Sequence, residues 1–258
     1  FIKNKTYEQH DNEKISFYRS SVENLNSQDQ LLTDINVDVC VIGGGLTGIS
    51  SALNLSKKGY SVVLCEARKI GWGASGRNGG QLGIGMRKDQ YTVEKMLGLR
   101  HAKELWNLGL ESVDEVKTLI EENNINCHLV NGIMSTACFS KDIDEFKFEL
   151  EYMSKNYNTN DYKFFDNSEI KKEINSDTYL AGLLDTYSYH LNPLKLTIGL
   201  AKILQKNKVK IFEDTAVENI FEKKDSVEIY TKKGRIKSNK VVVACNGYLY
   251  NLLGSKRN

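Results

Sequence analysis

Residues 38–81 read DVCVIGGGLTGISSALNLSKKGYSVVLCEARKIGWGASGRNGGQ and contain the most informative pattern of the sequence. The apolar run 39–42 predicts a buried parallel strand, because such strands are covered on both faces. A helix is predicted over residues 46–58 and a second strand over residues 61–64. Strand, helix and strand in this order predict one unit of a parallel sheet.

Glycines occupy the connection between the first strand and the helix. Gly43, Gly45 and Gly48 have the G-x-G-x-x-G spacing of a dinucleotide-binding turn. The first glycine permits the tight turn, the second lets the backbone approach a pyrophosphate, and the third lets the helix press on the strand. Leu46 and Thr47 open the helix, where free N–H groups bind phosphate.

An acidic residue follows the second strand. Glu66 lies 23 positions after Gly43, where a carboxylate can accept hydrogen bonds from both ribose hydroxyls of a dinucleotide. A carboxylate here disfavours a 2′-phosphate. The neighbouring Ala67 and Arg68 are included among the predicted cofactor contacts.

The segment 71–81 contains too many glycines for a helix and too little apolar spacing for a strand. It is predicted to be a loop that wraps a ligand, with a flexible surface loop as the alternative. Donor side chains and glycines in such a loop suit the diphosphate, ribityl chain and ring of a flavin, which favours FAD over NAD. The predicted contacts in this segment are Gly73, Ala74, Ser75, Arg77, Asn78, Gly79, Gly80 and Gln81.

Residues 70–81 resemble the FAD-dependent amine and amino-acid oxidoreductases of the D-amino-acid oxidase, glycine oxidase and sarcosine oxidase type, and look most like the gamma-glutamylputrescine oxidoreductase branch. Residues 16–21, 190–193 and 241–248 also carry the resemblance. The resemblance implies a main-chain contact to the adenine ring at Val217. It also implies that a strand and loop return to the flavin, with contacts predicted at Ala244, Asn246 and Gly247.

Members of this family are longer than the present sequence. Their C-terminal part adds substrate-domain strands and a glycine-rich segment whose helix N-terminus faces the flavin ring. Since the sequence ends at Asn258, we expect the N-terminal two-thirds of such an enzyme. The chain would then be a fragment, a subunit completed by a second polypeptide, or a decayed reading frame.

The predicted fold class is α/β, with a Rossmann-like FAD-binding domain built on a doubly wound parallel sheet and an inserted antiparallel substrate-domain layer. The predicted domains are an N-terminal arm over residues 1–36, the FAD-binding domain over 37–123 and 193–258, and the insert over 124–192.

Several elements are predicted from periodicity and turn residues. The Asn131-Gly132 pair within the alternating residues 127–137 predicts a hairpin. The predicted helices cover residues 91–123 with a break near Gly98, 142–156 capped by Asp142, 168–174, and 194–205 opened by Pro193. Further strands are predicted over residues 179–184, 209–213, 216–221, 226–231, 235–237 and 241–244.

The predicted reaction oxidises the C–N bond of a primary or secondary amine or amino acid to an imine by hydride transfer to flavin, with oxygen or another acceptor reoxidising it. No catalytic triad or carboxylate pair is found. The substrate-contact candidates are His190 and either Tyr187 or Tyr189, although a structural, hydrogen-bonded His190 is favoured. Arg77 either contacts the cofactor or braces the loop.

Two alternatives to this reaction stay open at this point. One is a non-catalytic or incomplete FAD-binding subunit that needs a second chain. The other is an NAD(P)-dependent dehydrogenase domain, which the loop 73–81 opposes.

Composition excludes several other classes. A net charge of +2, from 35 basic and 33 acidic residues, argues against nucleic acid as a partner. No apolar run is long enough to span a membrane and no signal peptide is recognised, so a cytoplasmic location is predicted. The five cysteines form no C-x-x-C pair and are expected to be reduced core residues; with the four histidines scattered, no metal site is predicted.

Overall fold

A computed structural model describes residues 16–22, 28–249 and 252. Contacts divide the chain into two compact units. Unit 1 consists of Phe1–Arg77 and Pro193–Asn258, and unit 2 consists of Asn78–Asn192. Residues 78–123, assigned from the sequence to the FAD-binding part, lie in unit 2 by their contacts.

The helices are α1 (Phe17–Ser20), α2 (Leu46–Lys57), α3 (Gln90–Leu97), α4 (Leu99–Glu122), α5 (Ser140–Tyr157), α6 (Asn167–Glu173) and α7 (Pro193–Lys206). The strands are β1 (Ile35–Ile42), β2 (Val62–Cys65), β3 (Gln81–Leu82), β4 (Val130–Ala137), β5 (Tyr162–Phe165), β6 (Ala181–His190), β7 (Lys210–Phe212), β8 (Val217–Glu222), β9 (Val227–Thr231) and β10 (Arg235–Val243). The predicted helix break at Gly98 is confirmed, since α3 ends and α4 begins there.

Unit 1 is built on a six-stranded sheet in the order β7-β2-β1-β10-β9-β8. The strands β7, β2, β1 and β10 are parallel, whereas β9 and β8 continue the sheet in antiparallel fashion. The chain leaves β1 towards β2 on one side, and β10 lies on the other side. The order therefore reverses at β1, and ligands of such sheets bind at the carboxyl ends of the strands beside this reversal.

The sheet of unit 1 is apolar on both faces. All four residues of β2 are buried, as are the last four of β1. One face joins a cluster of buried side chains, namely Leu31, Cys40, Ile42, Val63, Cys65, Ile229 and Ile236. Because side chains alternate along a strand, the intervening residues Val41 and Leu64 face the opposite side. There α2 contacts β1, β2 and α7 and buries Ile49 and Leu53.

Unit 2 is built on an antiparallel sheet with β6 at its centre. β4 pairs with one side of β6, and β3 and β5 share the other. Its core is rich in aromatic residues, comprising Ile84, Trp106, Val113 and Met153 with Leu82, Leu110, Tyr152, Tyr157, Tyr162, Tyr187 and Tyr189 packed against them. α4 supplies Trp106 and Val113, and a Cβ on its Gly109 would lie 2.6 Å from the carbonyl oxygen of Ile84. This close packing explains why residues 78–123 belong with unit 2.

The predicted hairpin at Asn131-Gly132 is wrong. β4 runs straight through this pair, and its pairing with β6 is irregular between Asn131 and Ile133. Gly132 has φ +97°, and the side-chain amide of Asn131 donates to the carbonyl of Thr186 at 2.6 Å. Between the pairs Asn131–Tyr189 and Ile133–Asp185, Gly132 alone lies opposite residues 186–188, so the extra residues of this β-bulge are in β6.

Other elements differ in extent from the predictions. β6 extends to His190, past the predicted end at 184, because β3 and β4 pair with its polar second half. β10 joins the predicted strands 235–237 and 241–244, since Ser238 and Lys240 pair with β1. Asp142 lies inside the first turn of α5, where its carboxylate accepts from the amide of Phe139 at 2.9 Å.

The expectation that all cysteines are core residues fails for Cys138, which is exposed; all five thiols are free. Within residues 16–22, 28–249 and 252, no helix is long and apolar enough to cross a membrane. The same residues contain no group of three or more His, Cys, Asp or Glu side chains arranged to hold a metal ion.

Candidate cofactor site

The first glycine of the turn closes the end of β1 against β10. Gly43 has φ +112°, a conformation that L side chains rarely adopt, and a Cβ there would lie 2.5 Å from the carbonyl oxygen of Ala244. Its N–H donates to the carbonyl of Cys65 at 2.8 Å, and the N–H of Ala244 donates to Ile42 at 2.8 Å. The turn is thus fixed by backbone on both sides.

The third glycine lets α2 approach that turn. A Cβ on Gly48 would lie 1.9 Å from the carbonyl oxygen of Gly43 and 3.4 Å from Cγ1 of Val41. Only a hydrogen fits in this space, so the geometry agrees with the packing role predicted for Gly48.

The second glycine lies immediately before α2, which begins at Leu46. The N–H of Leu46 donates to Oγ of Ser75 at 3.0 Å, and a Cβ on Gly45 would lie 2.8 Å from the same oxygen. The first turn of a helix leaves its N–H groups, here including Thr47, without acceptors inside the helix. These groups and the positive end of the helix dipole favour an anion at this position.

Glu66 is held at the carboxyl end of β2 by two backbone donors. Its Oε2 accepts from the N–H of Gly44 at 2.7 Å, and its Oε1 accepts from the N–H of Arg68 at 2.8 Å. Burial raises the pKa of Glu66, an effect that these two hydrogen bonds oppose. Since each carboxylate oxygen can accept more than one hydrogen bond, both can still receive a hydroxyl. Gly44 was not among the predicted site residues, because the spacing rule does not include its position.

The connection between β7 and β8 runs beside Glu66. The N–H of Thr215 donates to the carbonyl of Glu66 at 2.9 Å, and the N–H of Asp214 donates to that of Arg68 at 2.9 Å. Val217 begins β8 and packs, half-buried, against the core cluster of unit 1. Its contact with adenine stays a prediction, as does the role of Ala67, which is exposed beside Glu66.

A buried carboxylate that the sequence analysis did not identify supports this connection. Glu213 is 5% exposed, and its Oε1 accepts from the N–H of Ile70 at 2.7 Å. Lys69 pairs with Asp214 at 2.7 Å beside it. No local pattern marked Glu213, because its partner is 143 residues away.

The loop after Ile70 folds around Trp72. Arg77 donates from Nε to the carbonyl of Trp72 at 2.6 Å, and its guanidinium carbon lies 5.0 Å from the centre of the Trp72 ring. The guanidinium of Arg68 lies 4.1 Å from the same centre. These contacts favour the brace interpretation of Arg77, and Trp72 is a central residue that the sequence analysis did not select.

The remainder of the loop is held by close backbone contacts. Ala74–Gly76 form a 3₁₀ turn, and a Cβ on Gly76 would lie 2.1 Å from the carbonyl oxygen of Gly71. Gly73 lies against Tyr248, whose ring meets Trp72 edge-on at 6.1 Å between centroids. Tyr248 ends the 3₁₀ turn that also contains Asn246, at φ +49°, and Gly247. The predicted residues 73–77 and 244–247 therefore meet in unit 1.

The remaining predicted residues belong to unit 2. The N–H of Gly80 donates to Oδ1 of Asn78 at 2.9 Å, and Gly79 and Gln81 follow in exposed positions. Nδ1 of His190 lies 2.8 Å from the carbonyl oxygen of Gly132.

Tyr187 and Tyr189, the other substrate-contact candidates, pack against the core cluster of unit 2. The hydroxyl of Tyr187 donates to Asp114 at 2.7 Å. These contacts give both tyrosines a structural role.

The residues of unit 1 fit a dinucleotide such as FAD. A glycine turn without room for side chains leads into a helix N-terminus, and a carboxylate with both oxygens oriented lies beside it, all at the carboxyl ends of β1 and β2. This donor and acceptor set matches a pyrophosphate and a ribose.

Comparison with known proteins also indicates FAD. Residues 38–257 match the family of FAD-dependent oxidoreductases named DAO. The chain is 37% identical to a probable oxidoreductase OrdL of Haemophilus influenzae, over 92% of the chain and 55% of that protein. It is 36% identical to the gamma-glutamylputrescine oxidoreductase of Escherichia coli, over 91% of the chain and 54% of that protein. The chain thus spans about half the length of these curated relatives.

Solved structures support the fold. Glycine oxidase from Bacillus cereus superposes with a TM-score of 0.65 at 21% identity, over 84% of the chain and 57% of that structure. The mixed α/β fold and FAD as the cofactor, both predicted from the sequence, are confirmed. The chain belongs to the FAD-dependent oxidoreductase family.

Proposed function

We propose that this protein takes part in the oxidation of a C–N bond in a primary or secondary amine or amino acid. The carbon next to nitrogen would give up a hydride while the nitrogen lone pair forms the C=N bond, and water would hydrolyse the resulting imine. Oxygen or another acceptor would take up the electrons. Bound flavin supplies the acceptor for the hydride. The residues of the chain bind and orient the cofactor.

The observation that carries this proposal is the double anchoring of Glu66. Two backbone N–H groups orient its carboxylate beside the glycine turn at 2.7 and 2.8 Å, so its remaining acceptor capacity is directed without a side-chain rearrangement. Such an oriented carboxylate suits the two hydroxyls of the adenosine ribose. The names of relatives support an amine as the substrate, since one of them acts on gamma-glutamylputrescine.

The chain's residues divide the task of holding FAD. Gly45, Thr47 and Gly48 would present N–H groups to the pyrophosphate, and Glu66 would bind the ribose. Arg77, through its contact with Trp72, would hold the loop closed over the cofactor. Each of these roles is a proposal that binding measurements can separate.

The test is anaerobic mixing of the FAD-loaded protein with amines. The 258-residue chain is compared with a longer form that has the length of its relatives, because the chain spans about half of them. Each form is measured alone and together with any chain that copurifies. Gamma-glutamylputrescine, dimethylglycine and glycine, taken from the names of similar proteins, form the first panel. Bleaching of the flavin bands with formation of an imine or aldehyde supports the proposal. Tightly bound FAD that no amine reduces in the longer form refutes it.

The alternative functions predict different spectra. A nicotinamide-dependent dehydrogenase would purify without flavin absorption, and the family match does not favour it. An FAD-binding subunit without catalysis would hold flavin that stays oxidised until a second chain is added. The cytoplasmic location predicted from the sequence stays a prediction.

A further inference from the structure

The N-terminal arm is attached to the connection between β7 and β8 by two backbone donors. The N–H of Gln28 donates to Oε2 of Glu213 at 3.0 Å, and the N–H of Leu31 donates to Oγ1 of Thr215 at 3.1 Å. The side chain of Leu31 is buried in the core cluster of unit 1. Residues 28–31, called the arm segment below, are therefore held on unit 1 by hydrogen bonds and by packing.

The same two residues of the connection also hold the part of the chain that contains Glu66. Oε1 of Glu213 accepts from the N–H of Ile70 at 2.7 Å, and the N–H of Thr215 donates to the carbonyl of Glu66 at 2.9 Å. Glu213 and Thr215 thus each contact the arm segment on one side and the candidate cofactor site on the other.

Asp214, which lies between them, has the same arrangement. Its carbonyl accepts from the side-chain amide of Gln30, and its N–H donates to the carbonyl of Arg68 at 2.9 Å. Three consecutive residues therefore form a bridge between the arm segment and residues 66–70. Displacing either side removes hydrogen bonds from this bridge, so the position of one side depends on the other.

Glu213 strengthens this dependence because its carboxylate is buried. The residue is 5% exposed, and a buried charge is stable only where donors replace the lost water. Its donors are the N–H groups of Gln28 and Ile70, with the ammonium of Lys69 at 3.4 Å. Loss of the donor from the arm segment leaves the charge poorly compensated, which disturbs the contact with Ile70.

The packing of Leu31 would suffice to anchor the arm, so a buried carboxylate at this junction points to a second task. We propose that the arm segment is part of the cofactor site and that Glu213 is the positioning residue that links it to Glu66 and Ile70. Attachment of the arm segment and binding of the adenosine half of FAD then favour each other, because coupling between two binding events is reciprocal. This inference rests on the proposed binding of the adenosine ribose by Glu66.

The first experiment titrates Glu213→Gln with FAD and with riboflavin phosphate, in the flavin-free protein that has the length of its relatives. Glu218→Gln is the control, because Glu218 is an exposed carboxylate on β8. A carboxamide keeps one acceptor oxygen, but its NH2 group faces the second backbone donor. The Kd for FAD should rise about 10-fold in Glu213→Gln, whereas the Kd for riboflavin phosphate, which lacks the adenosine, should change by less than about 2-fold. A general folding defect would weaken both flavins alike.

The second experiment removes only the donor from the arm segment. Gln28→Pro lacks the N–H that reaches Glu213. Gln28→Ala is its control, because it keeps this N–H and loses only the side-chain oxygen that accepts from Gln205 at 2.6 Å. The Kd for FAD should rise about 3- to 10-fold in Gln28→Pro and match wild type in Gln28→Ala. Combining Gln28→Pro with Glu213→Gln should weaken FAD by less than the product of the two single effects, because both break the same hydrogen bond.

A measurement on the wild type needs no substitution. Saturating FAD should slow the hydrogen exchange of the Leu31 amide, and saturating riboflavin phosphate should not. The inference is wrong if both flavins slow this exchange equally, or if either Gln28→Pro or Glu213→Gln binds FAD as its control does. Normal FAD binding by Glu66→Gln would instead overturn the proposed role of Glu66, whereas weak FAD binding by Glu66→Gln but not by Glu213→Gln overturns this inference alone.

Discussion

Replacing Gly48 by alanine should destabilise unit 1 by forcing α2 away from the end of β1. The added Cβ would lie 1.9 Å from the carbonyl oxygen of Gly43, whereas ordinary contacts begin at 3.4 Å. The obstacle is the backbone of Gly43, so no side-chain rotation relieves the overlap of about 1.5 Å.

The magnitude follows from two opposing terms. Overpacking usually costs about 1–3 kcal/mol, and an overlap this large should cost about 3 kcal/mol. Alanine in place of glycine within a helix stabilises the folded state by about 1 kcal/mol. The net loss should be about 2 kcal/mol, which lowers the melting temperature by about 4–8 °C in a protein of this size.

Gly45→Ala provides the comparison, because its Cβ would meet only the side-chain Oγ of Ser75 at 2.8 Å. Rotation of Ser75 sacrifices its hydrogen bond with Leu46, worth about 0.5–1.5 kcal/mol. This variant should therefore keep most of the stability and still lose FAD affinity, since the methyl group occupies the approach to the pyrophosphate.

Thermal unfolding without flavin and FAD titration, measured on both variants, separate packing from binding. Gly85→Ala is the control, because a Cβ there has no atom within 4 Å. The expected pattern is lower stability and weak binding for Gly48→Ala, and near-normal stability with weak binding for Gly45→Ala. If Gly48→Ala has the same melting temperature as the control, α2 does not pack against the turn as described.

Three further outcomes follow from the same contacts. Glu66→Gln should weaken FAD by about 1.5–3 kcal/mol but leave riboflavin phosphate, which lacks the adenosine ribose, unaffected; equal weakening of both flavins would mean that Glu66 acts only on the turn that it holds. Burial raises the pKa of Glu66 above its ordinary value of 4.5, so protonated Glu66 stabilises the flavin-free chain below that pH, and this stabilisation should be lost as the pH rises through the raised pKa. The free energy of unfolding of wild type and of Glu66→Gln, measured across this pH range, tests the sign. Parallel curves would contradict it. Gly132→Ala should destabilise unit 2 by about 1–2 kcal/mol through its positive φ. Gly83→Ala, with only ordinary contacts at 3.6 Å and beyond, should not; equal unfolding midpoints would argue against a strained backbone at residue 132.

The part of the candidate site that could be predicted depends on residues close together in the sequence. The glycine spacing and the apolar runs specify β1, α2 and β2, because the turn, the helix start and the strand burial depend on residues close together in the chain. The place of Glu66 beside the glycine turn could be predicted for the same reason, since a helix of fixed length separates it from the glycines.

The predictions failed where distant partners decide the structure. Asn131-Gly132 is a strong local turn signal, yet β4 continues through it, because β6 pairs with Asn131 and with Ile133 and its residues 186–188 form the bulge between these pairs. The polar residues 238–240 interrupt the apolar pattern of β10, yet the pairing of this segment with β1 keeps it in one strand. Side-chain periodicity reports burial rather than pairing, so these outcomes could not be read from it.

The cofactor site itself depends on such a distant contact. Gly43 must be glycine partly because the carbonyl of Ala244 lies where its Cβ would project, and the N–H of Ala244 closes onto Ile42 at 2.8 Å. The turn proposed to bind the pyrophosphate is therefore set by β10, which joins the sheet some 200 residues after β1. Since a ligand that binds only the folded state stabilises that state, FAD affinity and the docking of β10 should rise and fall together. The strand, turn and helix of residues 38–81 supply the groups proposed to contact the cofactor, and the closed sheet holds them in place.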